Sequence, residues 1–198
     1  MKNKTLHNID LIFVLDRSGS MYGLEKDTIG GFNSFIEKQK KEEGNTYVTT
    51  ILFNNNYDIL YERKPIQEIK KLTTEEYYVG GTTALLDAVG NAITTLDRKT
   101  NNKVLFVIMT DGLENASREY TKEQVKNLIN NHDWEFIFLG ADIDAYTEAN
   151  YIGIKKSRAS NYDKSKEGLE KVYDSLSQVS HCLRRDIAIE DSWSDDLK

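Results

Sequence analysis

The stretch LIFVLDRSGSMYG, residues 11–23, decides the fold. Five apolar residues run unbroken into Asp16, and two hydroxyls follow at alternate positions, Ser18 and Ser20. An unbroken apolar run of that length marks a strand covered on both faces, as in a parallel sheet. Two more runs share the character, KVLFVIMTDG (103–112) and WEFIFLG (134–140). Between them lie segments with helical spacing of apolar residues. One starts near Leu24 and carries Ile29, Phe32, Phe35 and Ile36. A second is TALLDAVGNAITTL (83–96), and a third is TKEQVKNLINNH, which opens on a Thr121 cap. A short helix over AYTEANYIG and a long one over about 164–185 complete the set.

Strands alternating with helices predict an α/β fold: a three-layer, Rossmann-like, doubly wound and mostly parallel sheet. The exception is the pair YVTTILF and YDILYERKPI around Asn54, Asn55 and Asn56, a hairpin that adds one antiparallel edge strand. A weak edge strand is expected near residues 155–160. Gly30 and Gly31 sit inside the first helix, each costing about 1 kcal/mol there relative to alanine. Close packing of that helix on the sheet is the expected reason. Residues 1–185 read as one domain, and 186–198 as an acidic, flexible tail that frays.

With 198 residues, the chain can bury a core without staples. Net charge is −6, with no long basic block, which disfavours nucleic acid and anionic membranes as partners. The single cysteine, Cys182, allows no internal disulfide. No apolar run approaches the ~20 residues of a membrane-spanning helix. The start has no signal-peptide layout, so a cytoplasmic location is expected.

Ligands of such sheets bind beyond the carboxyl ends of the strands. Three polar clusters fall at that edge: DRSGS (16–20), GGTT (80–83) and TDG (110–112). Each alone could be a cap, a flexible loop or a turn. Together they supply two carboxylates and several hydroxyls, with no cysteine or histidine. Such oxygen donors suit magnesium, manganese or calcium rather than zinc or copper. Alternate residues of an extended loop point the same way, so Asp16, Ser18 and Ser20 can converge. Gly19 allows a sharp turn between them.

In DRSGS, GGTT and TDG, in that order and on those elements, the sequence resembles von Willebrand factor A domains with a metal-ion-dependent adhesion site. The likeness spans roughly Ile9 to Arg185 and is greatest to small stand-alone bacterial or phage members. It implies that Asp16, Ser18, Ser20, Thr82 and Asp111 hold a divalent cation, Mg2+ or else Mn2+ or Ca2+. Thr82 matches the family threonine because it follows Gly80 and Gly81; Thr83 is the alternative. The resemblance further implies a protein partner that supplies an Asp or Glu to the metal. With no anchor, wall signal or attached domain in the sequence, a role in cell adhesion is not expected.

The rival reading is a metal-assisted hydrolase on a similar sheet. Haloacid-dehalogenase-type phosphoryl transfer needs a second aspartate where Ser18 stands. There is no Gly-x-x-x-x-Gly-Lys loop and no Gly-x-Ser-x-Gly elbow. A base beside the ion would have to come from Asp87, Asp142 or Asp144. Each also has a plain reading: a helix residue, a loop residue and a helix cap. The expectation is therefore a non-enzymatic binding module. Tyr22, Tyr77 and Tyr78 flank the polar clusters, as recognition residues or as core.

Overall fold

The computed structural model describes residues 6–197; residues 1–5 and 198, the outer ends of the expected domain and tail, lie outside it. Six strands form one sheet in the order β3-β2-β1-β4-β5-β6. They are β1 (Ile9–Asp16), β2 (Thr46–Phe53), β3 (Tyr57–Pro65), β4 (Lys103–Thr110), β5 (Glu135–Gly140) and β6 (Ala159–Asn161). Every neighbouring pair is parallel except β2 with β3, the hairpin closed by Asn54–Asn56. This is the mostly parallel sheet with one antiparallel edge that the sequence predicts.

β1 lies at the centre, between β2 and β4. Its side chains alternate between two cores, as a strand's period of two requires. Ile9, Leu11, Phe13 and Leu15 face α1 (Glu25–Gln39) and α5 (Lys166–Arg184). Ile12 and Val14 face α2 (Leu85–Leu96), α3 (Lys122–Asn130) and α4 (Ala145–Tyr151). Asp10 and Asp16 belong to this second set and cap it at opposite ends of the strand. The apolar positions of α2, including Leu85, Val89, Ala92, Ile93 and Leu96, all turn inward. α3 begins on Thr121, whose hydroxyl accepts from Gln124 N while the Gln124 side chain accepts from Thr121 N. That reciprocal cap satisfies two donors that the first helical turn leaves without partners.

Three local expectations change. Gly31 does serve close packing, but against α5 and not the sheet: a Cβ there would stand 2.5 Å from the Tyr173 ring. A Cβ on Gly30 would meet nothing within 4 Å. In the acidic C-terminal stretch, Asp191–Leu197 forms a short 3-10 helix with Trp193 and Leu197 buried against the α5 core. Trp193 Nε1 also donates to the Ser157 carbonyl at 2.7 Å. Two apolar side chains within the charged run outweigh its overall polarity.

Candidate metal centre

All three polar clusters meet at the carboxyl edge beyond β1 and β4. Asp16 ends β1 and is 1% exposed. Its Oδ1 accepts from Ser18 N at 2.6 Å, and its Oδ2 from Thr110 Oγ1 at 2.5 Å. Among the described residues no Lys or Arg forms an ion pair with Asp16. Burial raises its pKa above the ordinary value; the Thr110 and Ser18 hydrogen bonds offset part of this, and the nearby Asp111 charge adds to it. The carboxylate is thus anchored and lacks a cation of its own.

The hydroxyls converge as expected, through a different backbone. Ser18 is extended, but Gly19–Met21 is a 3-10 turn, so Ser20 does not lie on an extended loop. Ser18 Oγ and Ser20 Oγ nevertheless stand 3.1 Å apart. Ser20 Oγ donates to Asp111 Oδ1 at 2.5 Å, linking the first loop to the end of β4. Gly19 matters for close approach rather than for a left-handed turn: its N–H donates to Gly81 O at 3.1 Å. A Cβ on Gly19 would meet that same oxygen at 3.4 Å. Gly80 N donates to Arg17 O at 2.9 Å, so the loops carrying Ser18 and the threonines are tied by backbone bonds.

Of the two threonines, the structure brings Thr83 to this cluster. Thr83 is 3% exposed, and its Oγ1 would lie 2.8 Å from a Cβ added to Gly112. Ser20 Oγ would lie 3.4 Å from the same point. Thr82 is exposed and lines a neighbouring hollow with Asn55, Asn56 and Asn115. The physical reason is a clasp on the backbone of Thr83. Its N–H donates to Asn115 Oδ1 at 2.9 Å and its carbonyl accepts from Asn115 N at 3.0 Å. With Thr83 held inward, its neighbour Thr82 is left exposed. Counting from the glycine pair points to Thr82, whereas the neighbour buried beside the cluster is Thr83.

The remaining candidates separate cleanly. Asp87 is buried and accepts from the backbone N–H groups of Arg118, Glu119 and Tyr120, so it anchors a loop. Asp144 caps α4 by accepting from Thr147 N at 3.1 Å and Thr147 Oγ1 at 2.6 Å. Asp142 is exposed, with an oxygen 3.6 Å from Lys164 Nζ. Tyr77 is fully buried and donates to the Asp16 carbonyl at 2.5 Å, whereas Tyr22 and Tyr78 are exposed. Arg17 lies buried with its guanidinium 4.5 Å from the Tyr78 ring centre and is ion-paired to Asp58.

Two residues of the site carry little or no signal in the sequence. Thr110 holds Asp16 and is visible only as the first letter of TDG. Lys164, in the loop before α5, places Nζ 2.6 Å from Asp111 Oδ2 and 2.6 Å from the Ser20 carbonyl. Partial burial lowers its pKa, but the Asp111 hydrogen bond and the charges of Asp111 and Asp142 outweigh that and raise it overall. One lysine among 26 basic residues, far along the chain from its partners, has no local pattern to announce it.

The donor set fits a hard divalent cation. Two buried carboxylates, Asp16 and Asp111, stand with the hydroxyls of Ser18, Ser20 and Thr83, and a side chain on Gly112 would intrude on the Thr83 and Ser20 hydroxyls. Among the described residues, no group of three or more His, Cys, Asp or Glu is placed to hold a metal. This site draws instead on hydroxyl oxygens.

The von Willebrand factor type A domain model matches residues 10–175. The chain belongs to that family. No curated protein matches the sequence. Solved structures share the fold at low identity. The von Willebrand factor domain of the type V pili tip protein Mfa5 from Porphyromonas gingivalis superposes with a TM-score of 0.70 at 11% identity, covering 94% of this chain and 99% of that one. Proximal thread matrix protein 1 from the mussel byssus, with a zinc-occupied metal-ion-dependent adhesion site, gives 0.69 at 15%, over 89% of this chain and 46% of that one. The ArnB paralog VWA2 from Sulfolobus acidocaldarius gives 0.63 at 19%, over 88% and 45%. This A domain therefore spans under half the length of the mussel and Sulfolobus proteins. Among the described residues, no helix is long and apolar enough to cross a membrane.

Proposed function

We propose that this A domain is a metal-dependent protein-recognition module. Asp16, Ser18, Ser20, Thr83 and Asp111 would hold one Mg2+ or Mn2+ ion, and a partner protein would supply an Asp or Glu side chain to it. Thr83 takes the place given to Thr82 on sequence grounds. The observation that carries the reading is the continuous oxygen chain Ser18–Ser20–Asp111 beside Asp16, a buried carboxylate without a cationic partner among the described residues. When bound, the ion supplies an electrophilic position that accepts one more carboxylate. The protein's part is to fix the donors. Thr110 and Ser18 N orient Asp16, Asn115 orients Thr83, and Ser20 orients Asp111.

A binding role fits this edge better than hydrolysis. A hydrolase needs a free base beside the ion. Asp87 and Asp144 are committed to backbone N–H groups, and Asp142 faces Lys164. A cytoplasmic location is part of the same proposal and rests on the reading of the sequence alone.

Titration calorimetry with Mg2+ and Mn2+ tests the metal. Wild type binds one ion, and Asp16→Ala does not while keeping its circular dichroism spectrum. Equal binding by both proteins would overturn the assignment. For the partner, affinity capture from the native host in magnesium and then in EDTA should show proteins retained only with the metal. Identical eluates from the two conditions would remove the metal from recognition.

A further inference from the structure

The ammonium of Lys164 sits where a second cation is least expected, against the site that is to hold one. Asp111 has a fully buried side chain, and its two oxygens are divided. Oδ1 takes the Ser20 hydroxyl and faces the oxygen cluster; Oδ2 lies 2.6 Å from Lys164 Nζ. The same ammonium donates to the Ser20 carbonyl at 2.6 Å. It therefore grips both residues that join the first loop to the end of β4. Its side chain is about a quarter exposed, and Asp142, 3.6 Å away, is the second carboxylate within ion-pair reach. The adjacent Ser165 caps α5 by accepting from Gly168 N at 3.0 Å, which fixes the backbone next to Lys164.

We propose that Lys164 is a tethered counter-cation that competes with the divalent ion for Asp111 and so sets the affinity of the metal centre. The inference rests on the metal-binding reading above. Like charges at short range in a partly desolvated site repel strongly. A divalent ion reaching Asp111 Oδ1 must bind beside a positive charge already held by Oδ2 of the same carboxylate. Lys164 also has a supporting side: it neutralises Asp111 and holds Ser20 in place when no ion is bound. A lysine with only that structural role would strengthen metal binding by ordering two donors. A competing lysine weakens it. The two roles thus predict opposite signs for one substitution.

The experiment is a Mn2+ titration read by electron paramagnetic resonance of the free ion, with Mg2+ competition, on wild type, Lys164→Met, Lys164→Gln and Lys164→Arg. Lys164→Met and Lys164→Gln should bind Mn2+ about tenfold more tightly than wild type or better, since a neighbouring positive charge is gone. Lys164→Arg keeps the charge and should stay within about twofold of wild type. The metal-induced rise in melting temperature should be larger in the two neutral variants, because the ion then replaces the missing positive charge. That readout needs only each variant's own metal-free reference, so it holds if a variant is less stable. Unchanged or weaker Mn2+ binding by both neutral variants, with wild type binding normally, would overturn the inference and leave the metal centre standing. Absence of Mn2+ binding and of any thermal shift in all four proteins would overturn the metal-centre reading, and this inference with it.

Discussion

β1 carries a buried carboxylate at each end, and the two ends are built differently. Asp10, at the amino edge, is 2% exposed; Asp16, at the carboxyl edge, is 1% exposed. Asp10 is closed off. Arg63 Nε donates to its Oδ1 at 2.8 Å, while Thr100 Oγ1 and Asn102 Nδ2 donate to Oδ2 at 2.5 and 2.8 Å. A cation and two neutral donors leave it nothing further to do. Asp16 has the neutral donors and, among the described residues, no cation. Same strand, same face, same burial: the two differ in whether the protein itself completes the charge balance, and under the proposed function that difference is what leaves Asp16 open to a metal ion.

The largest way to break this contrast is to neutralise each carboxylate in turn. Asp10→Asn should lower unfolding stability by about 2–3 kcal/mol in urea titrations. It leaves Arg63 without its partner, and the partial exposure of Arg63 keeps the loss at the low end for a broken buried pair. Asp16→Asn, measured in EDTA, should cost less than ~1 kcal/mol. It removes an unfavourable buried charge, and the Thr110 hydroxyl can rotate to accept from the new amide. A loss at position 16 equal to that at position 10 would erase the distinction.

Metal addition should act on one edge alone. At a magnesium concentration about ten times the dissociation constant, wild type should gain roughly 1.4 kcal/mol, a rise of about 3 °C in melting temperature. The Asp16→Asn protein should gain nothing. The Asp10→Asn protein should gain the full increment from its lower starting point. Next in size is the threonine pair. Thr83→Ala should weaken metal binding roughly tenfold, the loss of one contact to a charged partner. Thr82→Ala should leave binding unchanged; calorimetry on both variants ranks them, and a reversed order would return the ligand role to Thr82.

The smallest effect belongs to the amino edge. Lys103, which opens β4, pairs with Asp186 at 2.8 Å. The Lys103 hydrogen bond, then its charge, lowers the Asp186 pKa. A carboxyl with a lowered folded pKa stabilises above its unfolded value and loses that contribution as pH falls through the folded one. Wild type should therefore melt slightly above Asp186→Asn at neutral pH. The gap should close as pH is taken below the ordinary aspartate value of 3.8. The pair is exposed, so the difference stays small and shrinks further in high salt.

Much of this was legible in the order of residues. Continuous apolar runs gave β1, β4 and β5, and the asparagine triplet gave the hairpin, because backbone periodicity and turn chemistry act locally. Asp16, Ser18, Ser20 and Asp111 could be placed at one sheet edge for the same reason: each sits within four residues of a strand end. What escaped depends on contacts between distant segments. Thr83 rather than Thr82 faces the cluster because Asn115, 32 residues on, clasps its backbone. Lys164 reaches Ser20 across 144 residues. Gly31 answers to the Tyr173 ring and not to the sheet. Trp193 and Leu197 bury themselves in a segment whose composition reads as solvated.

The strand order also has a consequence in time. The central strand β1 precedes both of its neighbours in the chain, and Asp16 waits for Thr110, 94 residues later, before its second oxygen is satisfied. At synthesis rates of about 5–20 residues per second, that wait is on the order of ten seconds. During it, a strand apolar on both faces has no β4 beside it and one open edge. The proposed metal centre would not form on a partly made chain, because its two halves are then not present together. On the proposed function, recognition through it would be withheld until β4 has left the ribosome and paired, and a nascent fragment would have no metal-dependent grip on a partner.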